Sequence, residues 1–183
     1  MLSYPVTNVG AMTEPRFDPW LAVERRDDVI LALHPVARLM GGGFHARRGG
    51  LGIIVIDPSL GGAERRAVLT HELVHHERGG AIERADAPTG WRSLVDREER
   101  AVDREVARRL VPTAELEALV AERSALDGGI DAADVAAHFD VPRWVAALAL
   151  DRLACDAGDY NAGPPRWSWS AADDPVRPDR SSP

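Results

Sequence analysis

One uninterrupted stretch, Ala63 to Glu77, constrains the fold more than any other part of the 183-residue chain. It contains neither glycine nor proline, whereas Gly61-Gly62 precedes it and Gly79-Gly80 follows it. Because glycine commonly terminates helices and either residue disrupts a helix interior, the stretch predicts one continuous helix. Apolar residues on both flanks of its centre predict that most of this helix is buried: Val68, Leu69, Leu73 and Val74.

The predicted helix carries the pattern H-E-x-x-H as His71-Glu72-Leu73-Val74-His75. Residues four apart lie on one helix face, so His71 and His75 can offer ring nitrogens to one zinc ion. Glu72 follows His71 by roughly 100° of rotation and can take a proton from a water that the zinc activates. A buried histidine pair without partners is costly, and a metal removes that cost. The alternative is a partly exposed helix with a histidine pair and no metal.

A catalytic zinc needs three protein ligands and one open position, so a third ligand must come from elsewhere. The metzincin pattern places glycine and histidine where this chain has Arg78 and Ala81, which excludes that class. The remaining source is a glutamate on a following helix, predicted over residues 93 to 111 and ended by Pro112. This helix offers two adjacent candidates, Glu98 and Glu99.

Helical periodicity separates these two glutamates. Glu99 falls within the apolar stripe formed by Val95, Val102, Val106 and Leu110. Glu98 shares its face with Glu105 and the arginines. A glutamate on a buried stripe is costly unless it binds a metal or pairs with a buried arginine. Metal binding predicts Glu99 as the third ligand, and pairing with an arginine is the alternative. Asp103, four residues later, is placed to orient His71 or His75 through its carboxylate.

The joint pattern is H-E-x-x-H, a connection of 23 residues, then E-x-x-x-D. It is the thermolysin-like, or gluzincin, arrangement. His76 lies about 100° from His75, so we expect it to be exposed or beside the ligands rather than a ligand. We expect His34 and His138 to have structural roles.

The rest of the chain predicts a small sheet and further helices. A helical region is expected from Asp18-Pro19 to about Met40, limited or kinked by Pro35. Two β-prone pieces, 44–46 and 51–56, flank a glycine-containing turn and predict a hairpin. Residues 81–92 form a connection, residues 114–126 a helix capped by Thr113, and residues 131–154 two short helices joined at 140–142.

These elements predict an α+β fold, mostly helical with a small β-sheet on which the histidine helix packs. Four segments are expected: an irregular N-terminal segment (1–17), a zincin-like metallopeptidase domain (18–126), a small helical unit (127–155) and a disordered tail (156–183). Proline, serine, aspartate and glycine dominate that tail without an apolar period.

The composition of the chain indicates its cellular compartment and the classes of partner that it is not expected to bind. The net charge of -7 disfavours nucleic acid, which needs a basic surface. The single cysteine, Cys155, allows no intrachain disulfide and fits a reducing cytosol. The N-terminus lacks the features of a signal peptide, and no apolar run is long enough for a membrane span. We expect a cytoplasmic protein without membrane contact.

Over roughly residues 20 to 150, the chain resembles the ImmA/IrrE family of small metallopeptidases. The resemblance is carried by "LGIIVIDPSL", "RRAVLTHELVHHE" and "EERAVDREVARRLVP". Thr70 before the first histidine and Leu110-Val111-Pro112 at the helix end match the family. The family's acidic ligand matches Glu99, and its small polar residue four positions later matches Asp103. Val74 departs from it, since glycine is common there.

The second helix also departs from the family, because Glu105, Arg108 and Arg109 make it unusually charged. These charges do not touch the expected ligands, but they alter the surface that a substrate or partner meets. The resemblance implies a regulatory protease, since some members cleave a repressor encoded beside them. The expected substrate is therefore a protein or peptide, such as a transcriptional repressor.

The leading expectation is thus a zinc-dependent endopeptidase with Glu72 as the catalytic base. The strand 51–56 is expected to border the cleft and to offer an edge for an extended substrate. Candidates for stabilising the oxyanion are His45, His76, Tyr4 and Tyr160, and the sequence selects none. The alternative is a non-catalytic zincin-fold module that acts through protein contacts. Residues 131–154 loosely resemble a helix-turn-helix, but only Arg143 and Arg152 are basic there.

Overall fold

The structure, a computed structural model, describes residues 16–79, 89–125 and 129–156, with only the backbone at 89–92. The elements follow in the order α1 (Pro19–Glu24), β1 (Val29–Leu33), a 3-10 helix (Pro35–Met40), β2 (Gly43–Arg48), β3 (Leu51–Ile56), α2 (Gly62–Glu77), α3 (Thr89–Leu110), α4 (Thr113–Ala125), α5 (Ala132–Phe139) and α6 (Arg143–Asp156). The fold is α+β, mostly helical with a three-stranded sheet, as predicted. None of the helices in these ranges has both the length and the apolar character of a membrane span.

The first helix begins as predicted but ends early. The Asp18 side chain accepts hydrogen bonds from the N–H groups of Trp20 and Leu21, and Pro19 occupies the first turn. Helix α1 then stops at Glu24, and residues 29–33 form β1 instead of continuing the helix. The prediction of one helical region up to Met40 is therefore wrong. The run Val29 to Leu33 pairs along its whole length with β3, and this pairing outweighs the local helical pattern.

The sheet has the strand order β1-β3-β2, with β1 parallel and β2 antiparallel to β3. The predicted hairpin of β2 and β3 is confirmed. Its turn is Gly49-Gly50, with φ values of 58° and 89°, and a two-residue turn of this kind requires positive φ at both positions. The register places Arg48 opposite Leu51 and Gly43 opposite Ile56. Strand β3 is therefore the central strand, and β2 and β1 are its two neighbours.

Helix α2 packs on the sheet through a small apolar core, as predicted. This core joins α1, β3 and α2 through fully or nearly fully buried side chains: Val23, Ile54, Ile56, Leu69 and Leu73. Because Ile54 and Ile56 alternate with Val55 along the strand, they project from the same face of β3, towards α2. The sheet therefore fixes the position of the helix that carries the histidines.

A second and larger core lies between the helices. It includes Ala67 and Val74 of α2, and it continues through α3 and α4 to Val135, Phe139 and Val145 of the last two helices. Helix α3 begins at Thr89, four residues before the predicted start, so part of the expected connection 81–92 is helical. Helices α5 and α6 are joined at 140–142, as predicted, and they share their core with α2 and α3.

Candidate metal centre

Helix α2 brings His71 and His75 together on one face. Their Nε2 atoms lie 3.0 Å apart, and their rings meet edge to face with centroids 4.6 Å apart. Both side chains are buried, at 8% and 3% of full exposure. The spacing of four residues thus does what the sequence pattern predicts: it directs two imidazole nitrogens at one point.

Helix α3 brings Glu99 to the same point. One carboxylate oxygen lies 3.4 Å from Nε2 of His71, and the other lies 3.3 Å from Nε2 of His75. Glu98, the other candidate, turns away and forms an ion pair with Arg78. The three side chains His71, His75 and Glu99 form a group that can hold a metal ion, as the sequence predicts.

Asp103 lies behind His71. Its Oδ1 is 3.2 Å from Nδ1 of His71, so a proton on Nδ1 is directed at the carboxylate and Nε2 keeps its lone pair for the shared point. The sequence left open whether Asp103 orients His71 or His75, and the structure places it against His71. Among the described residues, Nδ1 of His75 is buried and has no hydrogen-bond partner.

The charges around His71 change its protonation when no metal is bound. Burial alone lowers the pKa of His71, but the contacts with Asp103 and Glu99 outweigh burial and raise the pKa to about 9. Burial raises the pKa of Glu99, yet its contacts with His71 and His75 bring it well below the ordinary value. Glu99 is therefore ionised at neutral pH, as a metal ligand must be.

The spacing of the three donors fits zinc. Zinc in proteins is tetrahedral, with bonds of about 2.0–2.2 Å to nitrogen and oxygen, so two of its ligand atoms lie roughly 3.3 Å apart. The two nitrogens here lie 3.0 Å apart, and each lies 3.3 to 3.4 Å from a different oxygen of Glu99, so the carboxylate presents both oxygens to the shared point. Two imidazoles and one carboxylate are also the donors of a common class of catalytic zinc sites, which keep a fourth position open.

Glu72 is buried next to this group and beside strand β2. A side chain added at Gly43 would contact Cγ of Glu72 at 3.3 Å and would overlap Val68. Glycine at this position therefore lets the strand run directly along the helix at Glu72. This contact was not predictable, because the need for glycine at position 43 is visible only once β2 and α2 are packed together.

The expectation that 51–56 offers an edge to a substrate is wrong, because β3 is the central strand and β2 covers its side nearest Glu72. On the outer side of β2 the structure describes no further strand. The N–H of Asp57 donates to the carbonyl of Gly42, so in the antiparallel alternation Gly43, His45 and Arg47 direct their backbone groups outward. The free edge near Glu72 therefore belongs to β2.

His76 is not part of the ligand group, as expected, and of its two expected placements, exposed or beside the ligands, exposure is wrong because the residue is buried at 2% of full exposure. Its face of α2 packs against the sheet, where Gly52 leaves room for the ring because any side chain there would overlap it. Nδ1 of His76 lies 3.1 Å from Nε2 of His45, and Nε2 lies 2.9 Å from Oδ2 of Asp28. This chain of hydrogen bonds joins β2, α2 and the residue before β1.

The hydrogen-bond chain also affects the charge of its members. Burial, followed by electrostatic interactions with His76, His75 and Arg47, lowers the pKa of His45 to about 4, so its ring is neutral at pH 7. The hydrogen bond with His76 lowers the pKa of Asp28. The sequence named His45 and His76 only as isolated oxyanion candidates. Tyr4 and Tyr160 lie outside the described residues.

Searches against protein-family models, curated proteins and solved structures find no match. The site is therefore interpreted from its own geometry. His34 has the structural role that the sequence predicts, since its Nδ1 accepts the N–H of Val36 at the start of the 3-10 helix. His138 is exposed, and its ring contacts that of its neighbour Phe139 edge to face.

Proposed function

We propose that this protein is a zinc-dependent endopeptidase with a zincin-like core, of the gluzincin type that the ImmA/IrrE resemblance implies. The observation that carries the proposal is the meeting of two imidazole nitrogens and one carboxylate within 3.4 Å of each other, beside the buried carboxylate of Glu72. A metal site without chemistry has no need for an additional buried acid at that place.

His71, His75 and Glu99 would hold the ion, and Asp103 would keep the His71 ring in the orientation and tautomer that binding requires. A zinc ion held by these residues would supply Lewis-acid chemistry, activating a water and polarising a substrate carbonyl. Glu72 accepts the proton of the attacking water and returns it to the amine that leaves. This sequence of steps needs one carboxylate that stays close to the donors, and Glu72 is fixed there by α2 and by the approach of β2.

The substrate would lie extended along the outer side of β2, as an added strand. The backbone groups of Gly43 and His45 would then position the scissile bond next to Glu72, because Gly43 is the point where the strand touches that residue. An edge that no described strand covers accepts the middle of a chain, which favours cleavage inside a protein. The resemblance points to a repressor as that protein, and the single cysteine fits the reducing conditions of the cytoplasm.

The test separates metal binding from catalysis. Zinc content is measured by mass spectrometry for the wild type, Glu72→Gln and His75→Ala, and cleavage is followed on repressors encoded by neighbouring genes. Glu72→Gln should keep zinc and lose cleavage by at least about 10²-fold. His75→Ala should lose both. The matched controls are Glu117→Gln and His138→Ala, which change exposed residues of α4 and α5 and should alter neither.

Cleavage by Glu72→Gln at the wild-type rate would refute the peptidase proposal. Loss of zinc from His75→Ala, together with no effect of Glu72→Gln in the cell, would favour the alternative, a binding module that uses the same fold with a structural metal.

A further inference from the structure

A separate cleft lies at the carboxyl end of α2, between that helix, α3 and α6. It has a volume of about 330 Å³. Five arginines line it: Arg78, Arg104, Arg108, Arg109 and Arg152. Only two acidic residues, Glu77 and Glu105, line it with them, so three positive charges are in excess. This excess stands out in a chain whose net charge is -7.

Three of the five arginines have partners. Arg108 and Arg109 both pair with Glu105, and Arg109 also reaches Glu77. The contact with Arg108 lowers the pKa of Glu105 most; burial raises it, and the contact with Arg109 lowers it again, so that the pKa falls to about 2. Arg78 pairs with Glu98, outside the lining. The two acidic residues of the cleft are thus already engaged, and they leave no carboxylate for the remaining arginines.

Arg104 and Arg152 make no ion pair with another described residue. The guanidinium of Arg152 donates from Nη2 to the carbonyl of Val111, whereas Nε and Nη1 are buried without hydrogen-bond partners. Burial lowers the pKa of Arg152, because removing the charged guanidinium from water is unfavourable. Arg104 and Arg108 are also four residues apart on one helix, a spacing at which like charges repel. An anion in the cleft would offset both costs.

We infer that this cleft binds a small organic phosphate. A phosphate group carries about −1.5 to −2 charges at pH 7 and is the anion that clustered arginines bind best. The volume is within the range of small-molecule sites, and a phosphate alone fills only part of it. Val74 and Ala101 provide apolar wall for the group that the phosphate carries. This inference is independent of the proposed peptidase activity.

The test uses the full-length protein and three probes in calorimetry: inorganic phosphate, adenosine monophosphate and adenosine. Both phosphates should bind, and adenosine should not. Arg104→Ala should weaken binding of adenosine monophosphate by about tenfold or more, because a charge-assisted hydrogen bond contributes at least that much. Arg48→Ala, which removes the same charge from an exposed position on β2, should bind like the wild type.

Arg104 is exposed, so its replacement should leave the fold intact, and thermal melting checks this. Arg152→Lys is the second variant, since it keeps the charge and loses the planar guanidinium. Equal affinities for the two phosphates would overturn the organic part of the inference, because the apolar wall of Val74 and Ala101 would then contribute nothing to binding. Binding that is the same in Arg104→Ala and the wild type would overturn the inference, since it would place the phosphate elsewhere, such as at the metal centre. Absence of binding to either phosphate would also overturn it.

Discussion

Zinc binding should depend steeply on pH, because the metal must displace a proton from His71. In the metal-free protein the contacts with Asp103 and Glu99 outweigh burial and raise the pKa of His71 to about 9. At neutral pH the ring is therefore protonated, and its Nε2 lone pair is occupied. Glu99 adds no dependence in this range, because its pKa lies well below the ordinary value of a glutamate.

The size of the effect follows from the loss of one proton. Below the pKa of His71, each unit of pH should tighten zinc binding about tenfold, which is about 100-fold between about pH 6.5 and about pH 8.5. The dissociation constant is measured at several pH values by competition with a chelator whose own pH dependence is known. Calorimetry in buffers of different ionisation enthalpy should show about one proton released for each zinc bound at neutral pH.

Asp103→Asn provides the internal test of this reasoning. Asparagine can still accept the proton of Nδ1, but it removes a negative charge that helps to raise the pKa of His71, so the pH dependence should level off at lower pH. Glu98→Gln is the matched control, because it lies on the same helix and pairs with Arg78 instead. A zinc affinity that varies less than about threefold over the same pH range would refute the conclusion that zinc must displace a proton from His71.

Three further predictions concern stability. The metal-free protein should lose about 3 kcal/mol of unfolding free energy as the pH rises from 6.5 through about 9. The reason is that protonated His71 stabilises the fold, and this stabilisation is complete only below the pKa that His71 has in the unfolded chain. Urea unfolding with and without zinc measures the loss. Gly52→Ala should cost about 1–3 kcal/mol in the same assay, because the new methyl group overlaps the His76 ring, whereas Gly62→Ala meets no atom within 4 Å and should cost nothing. Phe139→Ala should cost about 3–5 kcal/mol and lower the whole unfolding transition, since its ring lies in the core shared by α2 to α6; a separate, earlier transition of the last two helices would contradict a shared core.

The candidate site was largely predictable because its geometry is local. His71 and His75 are four residues apart on a helix that glycines delimit on both sides, and helical geometry alone brings them together. Glu99 belongs to another helix, but its place on an apolar stripe already indicates that it faces the core. The hairpin was predictable for a similar reason, since Gly49-Gly50 permits the backbone of a tight turn.

The parts that could not be predicted depend on contacts between distant segments. Residues 29–33 form a continuous apolar run, which suits a helix or a buried strand equally well, and the pairing with β3 decides between them. The link of Asp28, His76 and His45 joins residues up to 48 positions apart, and no spacing in the sequence connects them. The free edge of β2 is another such feature. It exists because β1 pairs with β3 and not with β2, and the sequence of the hairpin does not indicate which strand β1 will choose.

The open side of β2 has a consequence for how copies of this protein behave towards each other. An unpaired strand is a template for any extended chain, including the same strand of a second molecule. Arg47 and Arg48 are both exposed at the end of β2, so a second copy of this strand aligned beside it in parallel would bring four positive charges together. Charge therefore opposes parallel pairing of two copies through this edge, and it would favour a foreign chain with acidic residues opposite Arg47 and Arg48 over a neutral chain.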